Sequence, residues 1–357
     1  MLSGTSYSYG TATRYTGYWS NSFSSPDLTW EKTVQYDIGA DLSVLDQRIN
    51  ISLDWFLKQT KDILLSKSIP GYNAGGSYWV NQGEVKNTGF ELSVNAFPVR
   101  GKLTWESTFN AAYLKNEVVD LAGDPYLLGQ TPASGLVEGC TILQPGYPVG
   151  SFYLYQWDGF DSKGDNIYHD YNNNGIFDSG DKTIVGKANP DWTFGWNNMV
   201  YWKNWEFNIF LNAAVGLDKL NITRFTTASQ VGDSRFITLR DSYYKNWDMV
   251  SNKADAQFPS ARSGSNVYRG ESTMWLENAD FLKVRNISVA YNIPKSVTKF
   301  ADIRLSISCQ NALTITGYKG MDPEAITIQG SVDINNGMDA GAYPTPRIFT
   351  AGAKITF

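Results

Sequence analysis

The run from Asp170 to Asp181 is the stretch whose residue types and spacing most directly offer chemistry. Oxygen-bearing side chains stand at its positions 1, 3, 5, 9 and 12 (Asp170, Asn172, Asn174, Asp178, Asp181), with Gly175 at position 6 for a tight turn. That is the ligand spacing of a calcium loop, in which Ile176 at position 7 would add its carbonyl. The last position departs from the pattern, because Asp181 replaces the longer glutamate that usually gives two oxygens. Asn172 and Asn174 lower the charge as well, so the expected affinity is that of extracellular calcium modules, ~10⁻⁴–10⁻³ M. An Asn/Gly/Asp-rich turn without metal has the same composition. Both readings stand at this level, and with Ca²⁺ the role would be to hold a loop rigid.

Catalysis finds little support. The chain has 1 histidine, His169, which rules out a zinc site with several histidines and leaves a His-based triad only this loop residue beside Asp170 to draw on. Acidic residues are scattered over turns and strand faces without the pairing a glycosidase needs. Cys140 and Cys309 have no metal-ligand spacing and are too few for a disulfide framework. A net charge of -5 with no basic run argues against nucleic acid as a partner. The expectation is that the protein is not an enzyme. Aromatic residues gather between the periodic segments: Tyr72, Tyr78 and Trp79, then Phe152, Tyr153, Tyr155, Trp157 and Phe160. Trp79, Tyr153, Tyr155 and Trp157 are candidates for stacking on sugars or touching a partner protein. The plainer reading is that they pack long loops onto themselves.

The elements that would position these residues are strands. Charged residues make up only 18% of the chain while aromatics reach 14%, a balance that suits a membrane–water boundary better than a cytosolic surface. No run of apolar residues is long enough for a spanning helix. A period of two recurs instead. Trp205, Phe207, Ile209 and Leu211 alternate with Glu206, Asn208, Phe210 and Asn212, and Ile303, Leu305, Ile307 and Cys309 alternate with Arg304, Ser306, Ser308 and Gln310. The pattern predicts strands near 31–43, 47–58, 87–98, 102–116, 191–203, 204–216, 279–293, 301–314 and 346–357. Most of these exceed the ~5–6 residues of soluble strands and approach the ~9–11 of a tilted membrane strand. Connections alternate between short turns and long loops at 59–86, 117–190, 217–278 and 315–345, as an up-and-down membrane barrel with long extracellular loops demands. A soluble sandwich shares the alternation but normally has shorter strands.

Five blocks carry a family resemblance: Ser25–Thr33, Asn87–Leu92, Gly146–Tyr153, Asn189–Gly195 and Asn278–Asn286. In sequence and order they resemble the SusC/RagA family of TonB-dependent outer-membrane transporters. The resemblance implies an all-β fold, here about nine or ten strands of a larger barrel that a separate N-terminal domain plugs. It further implies import of oligosaccharides or peptides driven through TonB, with a SusD-like lipoprotein as a lid. The start at Met1-Leu2-Ser3 has no signal peptide, and neither the plug nor the TonB-contacting segment is expected within the chain. Aromatic Phe357 closing an alternating strand resembles the barrel-insertion signal. A secreted, calcium-stabilised glycan-binding β protein and a diffusion porin remain as alternatives.

Overall fold

The computed structural model describes residues 2–9, 13–20, 25–68, 77–129, 139–228, 238–261, 270–325 and 336–357. A 9-stranded antiparallel sheet dominates it. Its strands, numbered along the chain, are β1 (Lys32–Val44), β2 (Ile49–Lys61), β3 (Glu84–Val99), β4 (Leu103–Asp120), β5 (Trp192–Trp202), β6 (Trp205–Val215), β7 (Phe281–Ile293), β8 (Asp302–Thr316) and β9 (Ile348–Thr356). Each pairs only with its sequence neighbours, from β1 to β9 without a crossover, so the wall is an up-and-down meander. It is an open arc whose edges are β1 and β9. A separate hairpin, Leu2–Tyr9 with Thr13–Ser20, precedes it. The periodicity does not single this hairpin out, because Tyr, Ser, Thr and Gly alternate there without apolar contrast.

All nine predicted segments are wall strands, but several run longer than the hydrophobic alternation. β4 continues to Asp120, beyond the predicted end at 116. The extension is held by tertiary contacts: Val118 is buried, and its amide donates to the Tyr147 carbonyl at 2.9 Å. Four of the intervening connections are short, and the long ones leave the sheet at one end. Residues 62–83 are loop A, 121–191 loop B, 216–280 loop C and 317–347 loop D.

Alternation sorts the faces as expected. Outward-facing Ile307 and Ile315 are 62% and 55% exposed, which in water would be a liability and in lipid is burial. Aromatic rings gather at both ends of the outer face. Phe90, Tyr113 and Trp192 meet with centroids 5.0–5.4 Å apart near the loop end, while Trp205 meets Tyr291 at 4.7 Å near the short turns. The 11 residues Trp192–Trp202, at about 3.3 Å each, separate those girdles by about 33 Å along the strand. A tilt of about 45° converts that to roughly the 25 Å apolar band of a membrane barrel. Two polar residues on the outer face each serve a tryptophan. Asn198 accepts from Trp105 Nε1 at 3.1 Å and Ser107 accepts from Trp196 Nε1 at 2.9 Å. An indole N–H in hydrocarbon has no water to donate to, so a partner on the same face removes the penalty.

The inner face is polar and cross-linked between strands. Glu206 pairs with Arg304 at 2.6 Å and accepts from Asn292 at 2.6 Å, while Asn208 bonds Asn197 at 2.7 Å and Asn286 at 3.1 Å. An irregular register around Arg285 lets Lys283, Arg285 and Asn286 all reach inward partners despite their mixed parity. At Gly89 the Phe56 ring lies against the wall, where a Cβ would come within 2.8 Å of it. The glycine of the block Asn87–Leu92 is thereby explained by close approach.

Ile209→Arg, at mid-strand on the outer face, is expected to cost ~2–4 kcal/mol of barrel stability, whereas Asn208→Arg on the inner face is tolerated. Heat-modifiable mobility of the full-length protein extracted from outer membranes reports the folded fraction. Equal assembly of the two variants would reverse the facing.

Candidate functional site in the loop cap

Loops B, C and D do not stand apart but condense into one cap. Their shared core takes Cys140, Phe152 and Leu154 from loop B, Leu220, Phe258 and Trp275 from loop C, and Met338 from loop D, all fully buried. Each such large apolar side chain contributes ~1.5–3 kcal/mol on burial. Short strands stitch the loops together. Ser151–Tyr155 pairs with Lys182–Lys187 and Thr141–Leu143 inside loop B. Asp218–Asn221 of loop C pairs antiparallel with Leu276–Asn278 and parallel with Met338–Asp339 of loop D.

The blocks that carried the family resemblance are the pins between wall and cap. Asn116 Nδ2 donates to Asn87 at 2.8 Å, and Asn116 Oδ1 accepts the Val149 amide at 2.7 Å. Asn189 continues the ladder to the Val149 carbonyl at 3.0 Å. Asp280 accepts the Gly216 amide at 2.7 Å across loop C, and Asn81 takes the Thr29 amide at 2.6 Å and donates to its carbonyl at 2.7 Å. Side-chain amides suit these positions, since each satisfies a donor and an acceptor of an irregular backbone.

An ionic network then holds loop D against the inner wall. Lys283 reaches Asp322 at 2.6 Å and Glu324 at 2.5 Å, and Arg285 bonds both Glu324 and Asn212. Asp322 also accepts from the Thr345 hydroxyl at 2.6 Å. Burial alone would raise the Asp322 pKa, but the bonds from Lys283 and Thr345 outweigh it and hold the carboxyl well below its usual range. Lys219 donates to the Ala325 carbonyl and is only 3% exposed. Burial lowers its pKa to about 8 despite the opposing charges of Asp339, Asp322 and Glu324. Tyr318 donates to Asp339 at 2.7 Å, and burial with that carboxylate raises the phenol. None of these loop residues is visible in a local pattern. The available signal was two cations, Lys283 and Arg285, on the inner face of a wall strand.

The calcium-like run sits on loop B, exposed from Tyr171 to Gly180, with Asp181 buried. Asp170 accepts the amides of Asn174 at 3.2 Å and Gly175 at 2.8 Å, and Gly175 has φ +73. Asn172 accepts from Asn174 N at 3.0 Å, Asn174 from Ile176 N at 2.7 Å, and Asp178 from Gly180 N at 2.7 Å. Asp181 receives the amides of Tyr171 at 3.1 Å and Asp178 at 3.0 Å. Among the described residues no three Asp, Glu, His or Cys side chains are grouped to hold an ion by themselves, so a cation here would depend on the asparagines and a carbonyl. His169 is bonded to Asp158 at 2.9 Å.

The four aromatic candidates are not brought together as one surface. Tyr155 is 1% exposed, its ring 4.6 Å from Phe177, which folds back from the calcium-like run. Trp157 is partly buried, donates from Nε1 to Asn166 at 3.0 Å and packs against Phe160 at 5.1 Å. Tyr153 is partly buried beside Tyr155. Trp79 stands 54% exposed on the loop A hairpin Leu64–Ser68/Ser77–Asn81. Tyr72 lies outside the described residues.

Residues 3–312 match the family model described as TonB dependent receptor-like, beta-barrel. The chain is similar to TonB-dependent receptor P3 of Formosa agariphila, at 30% identity over 94% of this chain and 35% of that protein. It is likewise similar to TonB-dependent receptor SusC of Bacteroides thetaiotaomicron, at 30% identity over 93% of this chain and 32% of that protein. The chain thus spans about a third of the length of the curated relatives it matches. Among solved structures, the RagAB peptide transporter matches in fold with a TM-score of 0.80 at 22% identity, over 100% of this chain and 38% of that chain.

Asp322→Ala leaves Lys283 buried with half its partners, and the loss of such a charge pair costs about 3–5 kcal/mol. Amide hydrogen exchange at Lys319 and Thr345 is expected to accelerate by roughly 10²-fold or more. Lys219 makes a pH signature. Its folded pKa of about 8 lies below the ordinary lysine value of 10.5, so between those values the detached loop binds more protons than the docked one. Docking therefore strengthens as pH rises through that window. Exchange protection corrected for intrinsic rates should show the rise, and Lys219→Met should abolish it.

Proposed function

Because the chain belongs to the TonB-dependent receptor-like β-barrel family, we propose that it forms the barrel portion of an outer-membrane importer of oligosaccharides or peptides. The family is one of receptors and transporters, and the barrel resides in the outer membrane. The observation that carries the reading is the meander itself, with a lipid-compatible outer face, a polar inner face and every long loop at one end. Loops at that end face the outside of the cell, where the cap forms the vestibule and a SusD-like lipoprotein closes over it. Energy comes from TonB through a segment outside this chain. The soluble glycan-binding alternative is set aside by the family assignment. A diffusion porin would differ in needing no energy. Uptake of labelled maltohexaose, hexagalacturonate and hexaglutamate by cells carrying the full-length protein should include at least one probe whose entry stops with a protonophore or on loss of TonB. Entry of all three that persists under both treatments would favour the porin.

The same reading takes in the loop from Asp170 to Asp181 as a calcium site that stiffens the vestibule. Support comes from Asp170, which receives the amides of the fifth and sixth loop positions, the folding a calcium loop needs around its first ligand. Asp170, Asn172, Asn174 and Asp178 supply side-chain oxygens, Ile176 its carbonyl and Asp181 a carboxylate. Calorimetry of the full-length protein in detergent should show Ca²⁺ binding in the ~10⁻⁴–10⁻³ M range, lost in Asp170→Ala. Heat unaffected by that substitution would leave the metal-free turn.

A further inference from the structure

Loops C and D enclose a cavity of about 1090 Å³ within the cap. Four cations line it: Arg224, Arg240, Lys245 and Lys319. Two are neutralised, Arg224 by Glu277 at 3.1 Å and Lys245 by Asp241 at 2.7 Å. The other two are not. Arg240 lies over the Tyr244 ring at 5.6 Å, and Lys319 is bonded only through its backbone amide, to Glu277. Neither side chain has an anionic partner among the described residues. Asp241 and Asp339 share the lining, and the Asp241 carboxyl is held below its usual range first by the Lys245 hydrogen bond and further by the charges of Arg240 and Arg224.

A second observation is independent of charge. Asn221 lines the same cavity and is fully buried. Its Oδ1 accepts the Arg224 amide at 2.8 Å, whereas its Nδ2 has no hydrogen-bond partner. A buried donor without an acceptor is costly and calls for an explanation. An oxygen-rich ligand entering the cavity would supply one.

The form of the walls selects among acidic ligands. Asp218–Asn221 has both edges occupied, by Leu276–Asn278 and by Met338–Asp339. A peptide therefore finds no exposed ladder of useful length to extend. What the mouth offers is a ring, Tyr343, at 92% exposure, and a ring face suits the C–H face of a sugar. We propose that this cavity binds the acidic sugar units of an oligosaccharide, with Arg240 and Lys319 meeting their carboxylates and Tyr343 stacking beneath a ring. The inference deepens the importer reading and rests on it for the ligand's fate, though not for its binding.

Binding of hexagalacturonate, maltohexaose and hexaglutamate to the full-length protein in detergent, by calorimetry, tests it without any uptake step. Hexagalacturonate is expected to bind at least about tenfold more tightly than either other probe, and Arg240→Gln and Lys319→Gln are each expected to weaken it by about tenfold, the scale of one charge-assisted hydrogen bond. Lys102→Gln, at a short turn on the opposite end of the wall, should change nothing. Both cavity substitutions are at exposed side chains, and heat-modifiable mobility confirms that the variants fold. Equal affinity for maltohexaose, equal or tighter affinity for hexaglutamate, or indifference to both substitutions would overturn the assignment. Energy-independent entry with selective hexagalacturonate binding would sink the importer reading alone, and TonB-dependent uptake without that selectivity would sink the acidic-sugar site alone.

Discussion

A peptide group in hydrocarbon has no water to bond, and everything else in this protein is arranged around that constraint. The wall answers it by pairing each strand with its neighbours over most of its length, as β5 does along its full 11 residues with both β4 and β6. Pairing in chain order means that no strand crosses another, and the cost of closing even the long loops between β4 and β5 or β6 and β7 grows only slowly with their length. The same rule reaches the side chains. Trp105 and Trp196 are tolerable on the lipid face because Asn198 and Ser107 take their N–H groups.

Once the wall satisfies itself, the loops are free of it and must solve a different problem, that of folding in water with little core apiece. They solve it by pooling. Phe152, Phe258, Trp275 and Met338 come from three separate loops and are buried only in one another's company. Pairing out of chain order, absent from the wall, appears here in the parallel contact of Asp218–Asn221 with Met338–Asp339. Cap and wall are joined by polar pins and by the Lys283–Asp322–Glu324–Arg285 network. A small apolar cluster adds to them, with Ala214 and Phe281 of the wall packed against Leu217 and Ala279 of loop C and Tyr318 of loop D.

That division separates what short spans of the chain encode from what they do not. Strand alternation is a property of neighbours two apart, so all nine wall segments, their facing and the short and long connections were legible. The ends were not, since the last turns of β4 are held by Val118 against Tyr147 and no hydrophobic period marks them. The Asp170–Asp181 loop was legible in its local folding for the same reason, because the backbone amides that its Asp and Asn side chains accept all lie within the loop. Tyr155 and Trp79 looked alike in sequence, yet one is interior and the other open. Their difference depends on Phe177 and on the shape of loop B.

By itself, then, the sequence determined the up-and-down wall, its two faces and the family, because period-two patterning and the family blocks at the wall–cap junction are written in short spans of chain. Only the tertiary structure decided that three loops share one core, that Lys219 and Asp322 are buried beside each other's partners, and that Arg240, Lys319 and the unpaired Asn221 amide line one cavity. These residues lie far apart along the chain and carry no periodic mark. Their proximity is set by how the cap condenses, which follows from the summed burial of side chains in several loops and from no single one of them.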